Sequence, residues 1–233
     1  MSLKELKKQC ISCKETIEYG RNVFTKDGLV ECNISGLCEV CFDDVTFDMY
    51  GGLTLLHPVI VGLSYDGVIL AGGALRKLID PLDVVMDYDM FVTDLGKLEQ
   101  LKSDILEIKG VKKIFECPEG KLFSYCNTET GLKIQVINNG PYKCAEDLIS
   151  SFDIVAGCCA YTDGLFTKHS KFISNVLHKN MDINTVEYPK ATLNRIIKYT
   201  QKGYRLTRDG NSTFIESINQ MKLDEVNGRF YID

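Results

Sequence analysis

Three observations predict an α/β fold of the α+β kind, built on a mixed sheet, for this chain of 233 residues. Between Val68 and Asp94, a short apolar run ends in Gly72-Gly73 and passes directly into good helix formers, Ala74 to Ile79, as a buried strand feeding a helix does. Beyond a Pro81 turn, Val84 to Val92 reads as a second strand. Its period of two puts Asp87 and Asp89 on one face and Met86, Tyr88 and Met90 on the other. Strand and helix patterns then alternate towards the C-terminus, and a content of 45% hydrophobic and 25% charged residues is that of a globular protein.

Residues 1–47 predict a small unit ahead of that core. Cys10 with Cys13, and Cys38 with Cys41, are two Cys-x-x-Cys knuckles, and together they supply the four thiolates of a closed tetrahedral zinc site. Asn22 to Thr25 and Leu29 to Ile34 predict a hairpin between the knuckles, turning at Lys26-Asp27-Gly28. Phe42 to Val45 then opens a helix. A closed site leaves no coordination position free, so its zinc folds the segment rather than performing chemistry. Cys32 is a spare thiol. The arrangement resembles a treble-clef or zinc-ribbon module, and the wording around Arg21 to Phe24 and Ile34 to Asp43 is similar to modules of bacteriophage-encoded proteins.

Residues 48–185 form the expected core. Asp48 to Asp66 reads as a connector, with His57 in a structural role. The Gly72-Gly73 turn suits phosphate, because glycine lets backbone approach a phosphate closely and the helix behind it presents free N–H groups. Asp87 and Asp89 suit a hard cation that takes its other ligands from water and substrate phosphate, which is magnesium with a nucleoside triphosphate. Leu95, Leu98, Leu101, Ile105, Leu106 and Ile108 mark an amphipathic helix over the sheet. Strands follow at Lys112 to Glu116, Leu122 to Cys126 and Leu132 to Ile137, then at Ser151 to Tyr161. In that last strand Cys158 and Cys159 point to opposite faces as core residues.

Strand, Gly-Gly, helix and Asp-x-Asp strand, in this order, resemble the polymerase β-like nucleotidyltransferase superfamily. The segments from Gly72 to Lys77 and from Asp87 to Val92 look like its CCA-adding and poly(A)-polymerase branch, over about residues 60 to 160. The resemblance implies that Gly72 and Gly73 hold a triphosphate, that Asp87 and Asp89 bind two magnesium ions, and that a nucleotide is transferred to a hydroxyl. Arg76, on the helix, either reaches phosphate or lies on the surface. The family places a third metal-facing carboxylate on a strand such as Leu132 to Ile137, where this chain has Gln135. Asp153 either completes the site in its place or caps a helix end. Glu116 is a weaker option.

Residues 186–233 predict a helical extension. Pro189 opens and Gly203 closes a helix whose expected buried stripe is Leu193, Ile196, Ile197 and Thr200. Arg195, Lys198 and Lys202 line another face, and Lys190 to Arg205 holds no acid. This resembles the basic helix behind the catalytic domain of template-independent RNA nucleotidyltransferases. It meets triphosphate or RNA phosphate, or else it is a solvated face with cations favoured near a helix C-terminus. A last helix is expected around Phe214 to Met221.

A net charge of −5 excludes wholesale electrostatic coating of nucleic acid and restricts such binding to a local basic surface. The first residues lack the apolar core of a signal peptide and no run reaches the length of a membrane span, so no membrane partner and a cytoplasmic location are expected, in a host if the chain is phage-encoded. The large helical body with which full CCA-adding enzymes select tRNA has no counterpart. RNA ends, tRNA among them, a small molecule and a protein hydroxyl therefore all stand as acceptors. The alternative from another class is a catalytically silent binder of nucleic acid or protein on the same fold; a structural phage protein is a third.

Overall fold

A computed structural model of the protein describes residues 62–85, 87–140 and 142–220, with Leu56 and Ile60 before them and the backbone of four short strands between residues 8 and 31. Those strands are β1 (Lys8–Gln9), antiparallel to β2 (Thr16–Ile17), and β3 (Asn22–Thr25), antiparallel to β4 (Gly28–Glu31). The second pair is the hairpin expected from the sequence. Cys10, Cys13, Cys38, Cys41 and His57 lie outside the described residues.

The core is a mixed sheet of seven strands in the order β11-β10-β5-β6-β9-β8-β7. In chain order these are β5 (Val68–Ala71), β6 (Tyr88–Val92), β7 (Val111–Glu116), β8 (Leu122–Asn127), β9 (Lys133–Ile137), β10 (Cys159–Thr162) and β11 (Leu165–Lys168). Neighbours run antiparallel except β6 and β9, which are parallel. Helix α1 (Leu98–Glu107) buries Leu101 and Ile105 against one face, where Tyr88, Met90, Tyr125, Ile134 and Val136 make the main core. Helix α2 (Ala145–Ser150) covers only part of the other face, packing Leu148 and Ile149 on Ile69, Ala71 and Phe91. The alternation expected of Cys158 and Cys159 divides them between these two clusters.

Helix α3 (Phe172–His178) and β12 (Asn180–Met181) lead into α4 (Pro189–Gln201), β13 (Arg205–Leu206) and α5 (Arg208–Gln220). Strand β13 pairs in parallel with β12, and Tyr199 and Tyr204 join the main core with Ile196 and Phe214 packed against it. The described part of the C-terminal extension therefore shares the hydrophobic interior of the sheet. No helix among the described residues is long and apolar enough to cross a membrane.

Four local expectations change. The Asp-x-Asp strand begins at Tyr88, not Val84, because residues 80–85 are held as a loop: Asp80 pairs with Lys179 at 2.5 Å and Asp83 with Arg76 at 2.6 Å. The glycine pair opens a tight 3-10 helix (Gly72–Leu78) in place of an α-helix. Ser151 to Tyr161 is not one strand. A 3-10 turn at Val155–Gly157 breaks it, and a Cβ on Gly157 would stand 3.0 Å from the Tyr199 hydroxyl. In α4, Leu193 and Ile197 are 47% and 51% exposed, while Ala191, Thr192 and Tyr199 are buried. The helix thus packs through Ala191, Thr192 and Tyr199, which leaves Arg195 and Lys202 half-buried and Lys198 exposed along its border.

Candidate active site

Strand β5 delivers the glycine turn and β6 delivers the acids, and their antiparallel register sets Ala71 opposite Asp89. Gly72 therefore leaves β5 beside the Asp89 carboxylate. It has φ +80°, a conformation costly for any residue with a Cβ, and a Cβ there would lie 3.7 Å from Asp89 Oδ2 and 3.8 Å from Phe152. No side chain caps the first turn of the 3-10 helix that follows. Asp89 is half-buried; that burial and the neighbouring Asp87 push its carboxyl up to about 7, against the pull of Lys198 and Arg195. A carboxyl raised by burial and by a neighbouring acid, beside a glycine turn, belongs to a donor set that a divalent cation would relieve.

Arg195 and Lys198 stand on α4 within electrostatic reach of Asp89. Arg195 Nη1 donates to Asp153 Oδ2 at 2.7 Å, with the arginine side chain 32% exposed and the aspartate 10%. Lys202, one turn further, is half-buried. Burial first, then Arg76, lower its proton affinity, with Asp83 and Asp87 opposing them. Three cations thus border the acid pair from one helix edge.

Arg76 lies beneath this site, only 3% exposed. Its Nε donates to Asp83 and its Nη1 to the Tyr199 hydroxyl, both at 2.6 Å, and the guanidinium stacks 4.9 Å from the Tyr199 ring centroid. A Cβ on Gly73 would be 3.0 Å from Nη1, so the second glycine leaves room for this group. The Cys159 thiol donates to the Gly72 carbonyl from the same side at 3.4 Å. Arg76 is therefore neither a surface residue nor exposed to a bound phosphate: it braces the turn and ties it to α4.

Gln135 is the register partner of Asp89 across the parallel β6–β9 pair. The position adjacent to the acids is thus an amide. Asp153 sits in the loop after α2, engaged with Arg195, and Glu116 is at the sheet edge, paired with Lys113 at 2.6 Å. Among the described residues no group of three or more His, Cys, Asp and Glu side chains could hold a metal ion. A cation at Asp87 and Asp89 would complete its oxygen shell from water, substrate phosphate or the Gln135 amide. Sequence reasoning missed Asp83 and Tyr199 as supports. Asp83 carries no signal at all, and Tyr199 is legible only as the aromatic residue inside the basic stretch.

A family model described as Gabija anti-defense 2 family protein matches residues 38–179. No curated protein matches the sequence. Solved structures similar to this chain include a CCA-adding enzyme with CTP (TM-score 0.56, 13% identity, 76% of this chain and 48% of the other). Another is a CCA-adding enzyme with ATP (0.56, 12%, 78% and 49%). A third is the Thermotoga maritima CCA-adding enzyme complexed with tRNA (0.54, 14%, 76% and 47%). At such identities the likeness is one of fold, and this chain spans about half the length of those structures.

Proposed function

This chain belongs to the Gabija anti-defense 2 family, and from that premise we propose that it is a magnesium-dependent nucleotidyltransferase, moving a nucleoside monophosphate from a triphosphate to a hydroxyl, with an RNA end as the acceptor. The observation that carries this reading is the setting of Asp87 and Asp89 against the Gly72-Gly73 turn, faced by Arg195 and Lys198, on a fold like that of CCA-adding enzymes. Magnesium held there would neutralise phosphate charge and favour ionisation of the acceptor hydroxyl. Gly72 and Gly73 leave the backbone open to phosphate. Arg195 and Lys198 add charge complementary to the triphosphate. Asp153 orients Arg195 through its ion pair and so acts as a positioning residue, and Arg76 fixes the distance between turn and helix. The acceptor hydroxyl loses its proton to solvent, its oxygen bonds to the α-phosphorus, the bond from that phosphorus to the bridging oxygen breaks, and pyrophosphate departs.

Gln135 beside Asp89 favours a second reading, in which the site binds nucleotide without turning it over. One experiment separates the two. Purified protein is incubated with each α-labelled nucleoside triphosphate, magnesium or manganese, and total cellular RNA and protein, alongside an Asp87→Ala, Asp89→Ala variant. Label entering an acceptor with the wild type alone supports transfer. Nucleotide binding without transfer supports the silent binder, and absence of both overturns the assignment. Cys10, Cys13, Cys38 and Cys41 are proposed to hold a structural zinc, so elemental analysis should find zinc in the wild type and much less in a Cys10→Ser variant.

A further inference from the structure

Among the described residues, the face of the sheet that carries Asp89 is covered by α2 over β11, β10 and β5, with Phe91 of β6 and Ile137 at the end of β9 at the margin of that cluster. Beyond it the ladder continues the row of Asp89 to Gln135 on β9, Ser124 on β8 and Phe115 on the edge strand β7. Directly opposed residues share a face, so these four side chains form one line running outward from the acids. A parallel row holds Lys133, Cys126 and Lys112. Gln135, Ser124 and Cys126 are half-buried, and Lys112, Lys133 and Phe115 are exposed.

Phe115 reaches this face only because β7 carries a bulge between Lys113 and Phe115. Lys113 opposes Tyr125 and Glu116 opposes Phe123, both of which point into the core on the α1 side. Simple alternation would send Phe115 there as well. The extra residue, Ile114, re-aims the ring towards the side of the acids, as bulges beside functional sites do. Bulges and lysines also protect sheet edges from pairing, but that role does not require an aromatic ring on the open face. The ring is 47% exposed. Among the described residues neither Lys112 nor Lys133 pairs with a carboxylate, whereas Lys113 on the other face pairs with Glu116 and Lys121 with Glu119.

We propose that this open face of β9, β8 and β7 is the acceptor track, and that its occupant is the 3′ end of a single-stranded RNA. The inference rests on the transfer reading for the direction of the strand but not for the binding. Helix α4 meets the turn after β5 through Tyr199, whereas Gln135 lies across β6 on β9, so triphosphate is placed on the β5 side of Asp87 and Asp89 and the acceptor on the β9 side. With strands spaced about 4.8 Å apart, Phe115 stands roughly 14 Å from Asp89, where it stacks a base a few nucleotides back from the terminal hydroxyl. Lys112 and Lys133 meet backbone phosphates. The Gln135 amide and Ser124 hydroxyl offer donors and acceptors to a 2′-hydroxyl, which selects RNA over DNA. The charge is local, as a chain of net charge −5 requires of a polyanion site.

Fluorescence anisotropy of the full chain with a short 5′-labelled single-stranded RNA tests this. Phe115→Ala should weaken binding about tenfold or more. Lys112→Glu and Lys133→Glu should each weaken it and flatten its salt dependence. Lys113→Glu, on the opposite face, should leave it within about twofold. All four positions are exposed, and circular dichroism confirms folding of each variant. Wild-type affinity in both Phe115→Ala and Lys112→Glu, or equal affinity for DNA of the same sequence, overturns the assignment. RNA binding that depends on this face, without transfer of nucleotide, leaves the track standing and removes the transfer reading. Transfer onto protein by a chain that does not bind RNA does the reverse.

Discussion

Asp89 carries a conflict that the protein alone does not resolve. Burial and Asp87 hold its carboxyl at about 7 in the fold, whereas an unfolded aspartate titrates near 4. The folded state therefore binds more protons than the unfolded state between about pH 4 and 7, and stability falls as pH rises through that window. Asp89→Asn removes the charge and keeps the shape. In the metal-free protein the variant should melt above the wild type at about pH 8 and at nearly the same temperature at about pH 4, which differential scanning fluorimetry reads. Manganese should raise the melting temperature of the wild type at the higher pH and leave that of the variant unmoved. A wild type indifferent to manganese at both pH values would remove the acid pair as a cation site.

Between elements, the decisive contact joins the glycine turn to α4. Arg76 is buried against Asp83, Tyr199 and Tyr204, so loop, 3-10 helix and C-terminal helix meet on one guanidinium. Arg76→Met leaves the Asp83 carboxylate, 8% exposed, without its cation, and truncating one partner of a buried pair costs about 3 to 5 kcal/mol. Urea denaturation should show that loss, with nucleotide affinity falling as α4 and its Arg195 and Lys198 shift. A cost under about 1 kcal/mol would mean that the turn and the helix hold their places independently. Sequence periodicity located α4 to within a residue but turned it the wrong way. The pattern places its apolar stripe at Leu193, Ile196, Ile197 and Thr200, of which Ile196 packs on the core, because nothing local shows that buried Arg76 awaits the Tyr199 face.

For the molecule as a whole, the C-terminal segment is part of the interior of the core. Tyr199 and Tyr204 are among its buried aromatics, and β13 extends β12. A chain ending after Glu187 should therefore lose cooperative unfolding and near-ultraviolet circular dichroism and bind a hydrophobic dye, since it uncovers apolar surface and strands the Arg76 charge. Retention of a sharp melt would make the extension a separate appendage. The likeness to CCA-adding enzymes is one of fold and spans about half of their length; in the proposed reading, the open sheet face is where we place the acceptor.

The strands at 111–116, 122–127 and 133–137, the helix over 98–107 and the meeting of the glycine turn with Asp89 were legible in the sequence, because each rests on local periodicity or on the order of short motifs, although Asp87 falls just ahead of the strand. Gln135 stood out as a missing acid only against the resemblance to the nucleotidyltransferase superfamily, and the register sets it beside Asp89. What only the tertiary structure decided were the contacts between distant segments. Arg76 is a buried brace, Asp153 is the partner of Arg195, and Phe115 shares a face with Asp89 through a bulge that breaks the period of two. Periodicity reports which side of an element is apolar. The charge that meets a buried polar group, and the face an irregular strand presents, depend on neighbours that lie far away in sequence.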